Sequence, residues 1–539
     1  MDVKQLTLQR GRRYDPRGRG TGAQHHKNLN AIGQLLGSAA LGRHGSRVAL
    51  ICGTESLTYA ELASRVARAA NALRSLGVSP GDRVLLLMRD TPEFAAAWLG
   101  AVHAGAVAIG LNNKLTEAEY RHIRADSGAR LAIVEDVFAS ARPDLAAEHA
   151  REGGLAIAGA SAEPPLSWRR ALERATPQAE PHAARAEDPA FWLYSSGTTG
   201  KPKGIIHAHR SLLPAGQAQR EVIGLAAGER IFATSKLFFS YSLEHGLIGP
   251  LASGATSILE PGWPDAQTVL ERVERHQPSA FFSVPTFYRR LLALGAPHLA
   301  PFRNVRRFVA AGERLPAQLI EQWRAATGGE ILSLYGMSET FCACIVTPPG
   351  TSDGSHTGKP LAGVGTRLIT VDGREPAAGE AAELWVQHPA LALGYANRPE
   401  QTAAQFRAGW FCTRDLFVKD AAGFFSHHGR SDELMKIAGQ WVQPGELEEA
   451  VAGDPAISEV ACVQVTDTEG FERLAMFVAT RGETADALAA AGRVCEETLP
   501  RFKRPKWIRA VAELPRTATG KIQRFKLREL IERELGAKP

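Results

Sequence analysis

Ser195-Ser196-Gly197-Thr198-Thr199-Gly200-Lys201-Pro202-Lys203-Gly204 gathers hydroxyls, glycines and two ammonium groups into ten consecutive residues. That set suits a phosphate chain. Glycines let the backbone turn tightly and present its N–H groups to an anion, hydroxyls donate to phosphate oxygens, and lysines supply charge. The spacing is not that of a Walker loop. Gly197 and Gly200 stand too close together, and Pro202 follows Lys201 where Ser or Thr would ligate magnesium and open a helix. A flexible surface loop has the same composition, so this stretch by itself leaves both readings open.

The elements that must hold the loop are legible around it. Ala190 to Tyr194 is an apolar run of strand length leading into Ser195. Upstream, Val48 to Ile51, Val84 to Leu87 and Ala132 to Val134 read as buried strands. Between them, Thr58 and Glu61 have capping-box spacing, Leu62, Val66, Ala69 and Leu73 share one helical face, and Gly77 is placed to end that helix. A further helix is expected around Ala95 to Ala104. Beyond a surface connection over Thr176 to Pro189, a second alternating run follows: Ile231 to Ala233, Ser257 to Leu259, Ala280 to Val284 and Phe308 to Ala310. Alternation of this kind predicts parallel sheets wrapped by helices. From about Leu368 the texture changes to short strands and Gly/Asp turns, and after Arg430 a shorter α/β unit begins.

At 539 residues, 44% hydrophobic and 22% charged, the chain has the composition of a globular enzyme with more than one domain. A net charge of +6 suits anionic substrates, but there is no basic–aromatic stripe or zinc-finger spacing to argue for nucleic acid. The six cysteines, Cys52, Cys342, Cys344, Cys412, Cys462 and Cys495, form no CxxC pair and read as free thiols of a reducing compartment. No run is long and apolar enough to span a bilayer, and the first thirty residues carry arginines and glycines without the apolar core of a secretory signal. The expectation is a cytoplasmic protein with a disordered basic tail over 1–30, a large domain over 31–430 and a small one over 431–539.

Residues Tyr194 to Gly204 resemble the phosphate-loop signature of the adenylate-forming superfamily, which contains acyl- and aryl-CoA synthetases, peptide-synthetase adenylation domains and luciferases. Further motifs follow in order. Ala311-Gly312-Glu313 resembles the family's adenine-facing turn. Tyr335-Gly336-Met337-Ser338-Glu339-Thr340 resembles its Tyr-Gly-x-Thr-Glu segment, with Ser338 for Thr. Thr413-Arg414-Asp415 resembles its Thr-Gly-Asp, with Arg414 for Gly. Gly429-Arg430-Ser431-Asp432-Glu433, with Lys436 and Gly439, resembles the segment joining its two domains, and Pro515 to Lys521 its C-terminal lysine motif.

The resemblance implies an α/β fold: a large N-terminal domain of two α/β sheets plus a distorted β-barrel, and a small mobile α+β C-terminal domain. It implies a carboxylate activated by ATP as an acyl-adenylate with loss of pyrophosphate, then transferred to coenzyme A. In that chemistry Ser195, Ser196, Gly197, Thr198, Thr199, Gly200 and Lys201 would hold phosphates. Glu339 would ligate magnesium, Ser338 would face the α-phosphate, and Ala311, Gly312, Glu313, Tyr335 and Gly336 would line the nucleotide. Asp415 and Arg430 would bind ribose, and Lys521 would bridge carboxylate and α-phosphate. Asp432 would be the hinge and Gly439 would border the pantetheine tunnel. Arg501, Lys503, Arg504 and Lys506 read either as a contact for the 3′-phosphate of CoA or as a solvated basic face.

Within the superfamily the chain is most similar to benzoate-CoA ligases and related aryl-carboxylate ligases. Lys236-Leu237-Phe238-Phe239-Ser240-Tyr241 resembles their acyl-pocket stretch, which implies a pocket of Phe239, Ser240, Tyr241, His245 and Cys342 for a flat ring or compact apolar acid. Phe281 and Phe282 read better as core. Two departures stand out: Cys342 replaces the His usual there, and Ser242-Leu243-Glu244-His245 replaces Gly-Leu-Gly-Asn. Three alternatives share these motifs: an adenylation enzyme loading a carrier protein, a luciferase-like oxygenase, and an inactive sensor of an acid or nucleotide. The first usually places an Asp within the segment matching Phe239 to Ser242, and none is present. A homodimer, and a protein acyltransferase acting on Lys521, are the protein partners the resemblance implies.

Overall fold

The helix Pro92–His103 is apolar over almost its whole surface, and every residue in it except the partly buried Glu93 is buried. Such a helix needs apolar partners all round, and it finds them between two large sheets. Thr91 caps its start by accepting from Phe94 N–H, and Pro92 sits at the first turn where its missing N–H costs nothing. Gly100 lets the neighbouring helix Tyr59–Ser75 approach: a Cβ there would stand 2.6 Å from Ala69 Cβ. The second helix begins with the predicted capping box of Thr58 and Glu61. The computed structural model describes residues 29–151, 154–158, 167–196, 201–437, 440–480, 482–516 and 522–535.

The first sheet has seven strands in the spatial order Gly394–Tyr395, Pro202–Ala208, Pro189–Ser196, Val107–Gly110, Arg83–Leu87, Leu131–Glu135 and Leu155–Ala158. Its last five are parallel, while Pro202–Ala208 turns back antiparallel on Pro189–Ser196. The second has nine, in the order Lys359–Pro360, Ile345–Val346, Ile331–Tyr335, Arg307–Ala311, Ala280–Ser283, Arg230–Ala233, Thr256–Leu259, Val48–Cys52 and Glu55–Thr58. The strands from Ile331–Tyr335 to Val48–Cys52 are parallel. One apolar cluster joins Leu50 of this sheet to Val84, Leu86, Phe191 and Leu193 of the other through Leu62, Val66, Phe94 and Trp98.

The change of texture near Leu368 corresponds to a five-stranded antiparallel sheet of Gly365–Ile369, Ala382–Gln387, Trp410–Lys419, Phe406–Arg407 and Phe425–Arg430. Past Arg430, a three-stranded sheet (Ile457–Thr466, Glu472–Thr480, Trp507–Val511) packs against the helices Pro444–Ala452, Thr484–Thr498 and Arg524–Leu535 around its own core. All six cysteines are free thiols, and among the described residues no helix is long and apolar enough to cross a membrane.

Candidate active site

The two strands that flank the phosphate-type stretch pair antiparallel. Ser195 pairs with Lys203 and Ser196 with Pro202 across the antiparallel strands, so the chain returns as a strand where a Walker loop would open a helix. Gly197, Thr198, Thr199 and Gly200 lie outside the described residues. Ser195 keeps a buried hydroxyl oxygen with no hydrogen-bond partner among the described residues, and Lys201 is exposed.

Lys203, on the return strand, meets the segment carrying the predicted metal ligand. Its Nζ lies 3.2 Å from Glu339 Oε1 and 4.1 Å from the centroid of the Tyr395 ring. The Tyr395 hydroxyl donates to the same oxygen at 2.8 Å and lies 2.6 Å from Gln405 Oε1. Burial first, and the Glu339 charge second, push the Tyr395 hydroxyl far up, so it remains a donor. Tyr395 and Gln405 were not foreseen, because no spacing in the chain links them to Glu339. The turn itself is strained: Phe341, buried and edge-on to Phe191 at 4.9 Å, holds φ +58°. A bulky side chain in the left-handed region persists only where surrounding packing over-determines it. His207 Nε2–H donates to the Ser338 carbonyl at 2.8 Å, and its ring stacks on Phe191 at 4.7 Å. Burial pushes His207 down to about 4, so the imidazole holding Ser338 is neutral.

A second group forms around Asp415. The Tyr335 hydroxyl donates to its Oδ2 at 2.6 Å, Arg430 reaches its Oδ1 at 3.2 Å, and His427 Nε2 stands 3.7 Å from that oxygen. Burial works against the Asp415 charge, but the neighbouring His427 and the Arg430 guanidinium outweigh it and hold the carboxyl below the usual range. Arg430 also grips Asp432 with two parallel bonds of 2.8 and 2.9 Å. Taken alone, Asp415 after Arg414 would read as half of a surface ion pair, but it is buried. Arg414 turns instead toward Glu383, at 3.6 Å, with its backbone at φ +64°. The glycine usual at this position therefore reflects a real backbone demand, and the arginine here meets it under strain. His427 was not anticipated.

The two groups stand at opposite ends of Tyr335 to Glu339. Ala311 is buried at the end of its strand, Gly312 turns at φ +85°, and exposed Glu313 accepts from Thr286 N–H at 3.2 Å. Gly336 is exposed. Lys521 and Gly439 lie outside the described residues.

Comparison with known proteins fits this geometry. Residues 38–396 match the AMP-binding enzyme family and residues 446–521 match the AMP-binding enzyme C-terminal domain. The chain belongs to the AMP-binding enzyme family. It is 38% identical over 518 residues to a 3-hydroxybenzoate--CoA/4-hydroxybenzoate--CoA ligase of Thauera aromatica, with 95% of this chain and 99% of that protein covered. Among solved structures it is similar to an anthranilate CoA ligase in complex with anthranoyl-AMP, at TM-score 0.84 and 33% identity over 93% of this chain and 97% of that one. It is also similar to a benzoate CoA ligase from Burkholderia xenovorans LB400, at TM-score 0.82 and 32% identity over 93% and 99%.

In this AMP-binding enzyme the stretch matching the acyl pocket is anchored by a buried ion pair. Lys236 Nζ lies 3.2 Å from Asp90 and donates to the Gly262 carbonyl at 2.6 Å. Asp90 Oδ2 accepts from Leu237 N–H at 3.0 Å. The pair joins loops following strands of the two large sheets and leads directly into half-buried Phe239 and Ser240. Tyr241 packs edge-on to His245 at 5.3 Å, and its hydroxyl donates to the carbonyls of Ser283 and Val309, each at 3.2 Å. His245 and Cys342 are buried, and Phe281 and Phe282 are core, as their patterning suggests. The basic group near the C-terminus is largely paired within its own domain: Lys503 with Glu446 at 2.6 Å and Lys506 with Asp467 at 2.9 Å.

Proposed function

We propose that the protein is an ATP-dependent carboxylate–CoA ligase acting on a benzoate-like aryl acid. The observation that carries the reading is the 3.2 Å contact of Lys203 with Glu339, residues 136 positions apart. It brings the cation-binding carboxylate to the phosphate hairpin, where a polyphosphate and its counter-ion must meet. In the first half-reaction a carboxylate oxygen of the acid attacks the α-phosphorus of ATP, the bond to the β-phosphate bridge breaks, and pyrophosphate leaves. In the second, the CoA sulfur attacks the acyl carbonyl and AMP departs. Positioning and charge stabilisation dominate such displacements.

Glu339 offers the hard oxygen that magnesium prefers, and an ammonium already rests against it, so the residues present fit a cation there. When bound, the ion would neutralise charge on ATP oxygens. Lys203 and Tyr395 orient Glu339. Asp415, kept anionic by His427 and Arg430, accepts from ribose hydroxyls. His207 fixes the Ser338 backbone, which orients that hydroxyl toward the α-phosphate. Lys521 bridges the two anions of the adenylation step, Asp432 is the hinge and Gly439 borders the thiol path.

The test is turnover with Mg-ATP and a panel of aryl, alicyclic and short-chain acids, with and without CoA, measuring AMP and acyl-CoA. CoA-dependent release of AMP with aryl acids is expected. Acid-dependent pyrophosphate exchange with no acyl-CoA would replace this reading with carrier-protein loading. Lys521→Ala is expected to slow adenylation by at least ~10²-fold while thioester formation from supplied acyl-adenylate survives; equal loss in both halves would refute the assigned role. Lys521 is also proposed as a target of a protein acyltransferase, read by mass spectrometry of cell-derived protein, and a homodimer is proposed, read by light scattering.

A further inference from the structure

Where the acyl-pocket helix Ser240–Leu243 ends, the chain makes a single wide π-turn over Glu244–Ile248. Such turns insert an extra residue into a helix and recur at functional sites. Here Glu244 and His245 are both buried. Glu244 Oε2 accepts from Ala343 N–H at 3.1 Å, and its carboxyl contacts the Cys342 thiol. His245 stacks on Phe282 at 4.8 Å and 16°, and its Nδ1 lies 3.3 Å from Gln219 Nε2. With Nδ1 accepting, Nε2 carries the proton. That Nε2 is 3.1 Å from Glu244 Oε2 but lacks the alignment of a hydrogen bond, and among the described residues Gln219 Oε1 is also buried without a partner.

Tyr241, His245 and Cys342, which the sequence assigns to the acyl pocket, therefore all converge on Glu244 or on its neighbour in the chain. Among the described residues no Lys or Arg stands at ion-pair distance from Glu244. A wall built only to pack would be apolar, because buried polar groups without partners cost stability. Burial pushes the Glu244 carboxyl up to about 8, so near neutral pH it has a proton to give as well as an oxygen to accept.

Resting on the aryl-ligase reading above, we infer that Glu244 and His245 form the polar end wall of the acyl pocket and select an aryl acid whose ring carries a hydroxyl or amino group. The substituent accepts from His245 Nε2–H and exchanges a hydrogen bond with the Glu244 carboxyl. An unsubstituted ring leaves the buried His245 Nε2–H unpaired, and a site built to hydrogen-bond a substituent rejects the analogue lacking it. The sequence marked Glu244 and His245 as departures from the usual Gly-Leu-Gly-Asn and assigned His245 to the pocket; the carboxyl stands just beyond Phe239 to Ser242, where no Asp is present, on the π-turn.

The experiment is kcat/KM for benzoate, 2-aminobenzoate, 3-hydroxybenzoate and 4-hydroxybenzoate with the wild type, Glu244→Leu and His245→Phe, with KM for ATP measured alongside. His245→Phe keeps a ring to stack on Phe282 and removes the Nε2–H donor together with the Nδ1 acceptor of Gln219, so it serves if Glu244→Leu fails to fold. The wild type is expected to favour one substituted acid over benzoate by at least ~10-fold, and each variant to bring that ratio toward unity without changing KM for ATP. Turnover of the panel with benzoate equal or preferred overturns this inference while leaving the ligase reading intact. A preference that survives in both variants overturns it too. No turnover of any aryl acid removes the ligase reading and this one with it.

Discussion

Glu244→Gln keeps the shape and the acceptor oxygen of a buried carboxyl but removes its ionisation. The ordinary carboxyl value is 4.5, and burial pushes Glu244 to about 8, against the smaller opposing effect of backbone hydrogen bonds from Ala343 and Gly216. Between those two pH values the folded protein holds a proton that the unfolded chain has released. Stability from this group is therefore fully present below pH 4.5, falls as pH rises, and levels off above about 8. At ~1.36 kcal/mol per pH unit the loss across the window is on the order of 3–5 kcal/mol. The titratable neighbours do not imitate it: burial holds Cys342 and Tyr241 uncharged far above this range and pushes His245 down to about 3. The charging of His245 in the unfolded chain is common to both proteins and cancels in their difference. The assay is the midpoint of thermal unfolding at pH 5, 6.5 and 8 for both proteins. Glu244→Gln is expected to gain on the wild type by several degrees between pH 5 and 8. Parallel profiles would show that Glu244 is already ionised in the folded state, and the reasoning from burial would fail.

Two further outcomes follow from the backbone and the core. Arg414→Gly relieves a left-handed backbone at φ +64° and gives up a half-exposed contact with Glu383; a net gain of ~0.5–1 kcal/mol is expected, and a lower denaturation midpoint in urea would contradict it. Lys236→Met strands Asp90 in the core, 3.2 Å from the lost ammonium, and is expected to cost ~3–5 kcal/mol. Adding Asp90→Asn should recover part of that in the same thermal scan, and a double variant no better than the single would refute the pairing argument.

The residues by themselves determined the succession of strands and helices, because alternation, capping and chain reversal depend on neighbours a few positions apart. Thr58 and Glu61 predicted a helix start that is present, and the spacing at Pro202 argued against the helix of a Walker loop at a place where the chain forms a strand. Motif resemblance also placed Glu339, Asp415 and Arg430 in one chemistry before any fold was known. Only the tertiary structure decided the state in which those groups are held. Lys203 and Tyr395 reach Glu339 from other parts of the chain, and His427 reaches Asp415 across paired strands. Glu244 read as one departure among several until packing enclosed it with His245, Cys342 and Phe282. The physical reason is the same in each case: a side chain's charge, proton and partners are set by what surrounds it in space, and burial that raises a carboxyl toward neutrality leaves no periodic trace in the sequence.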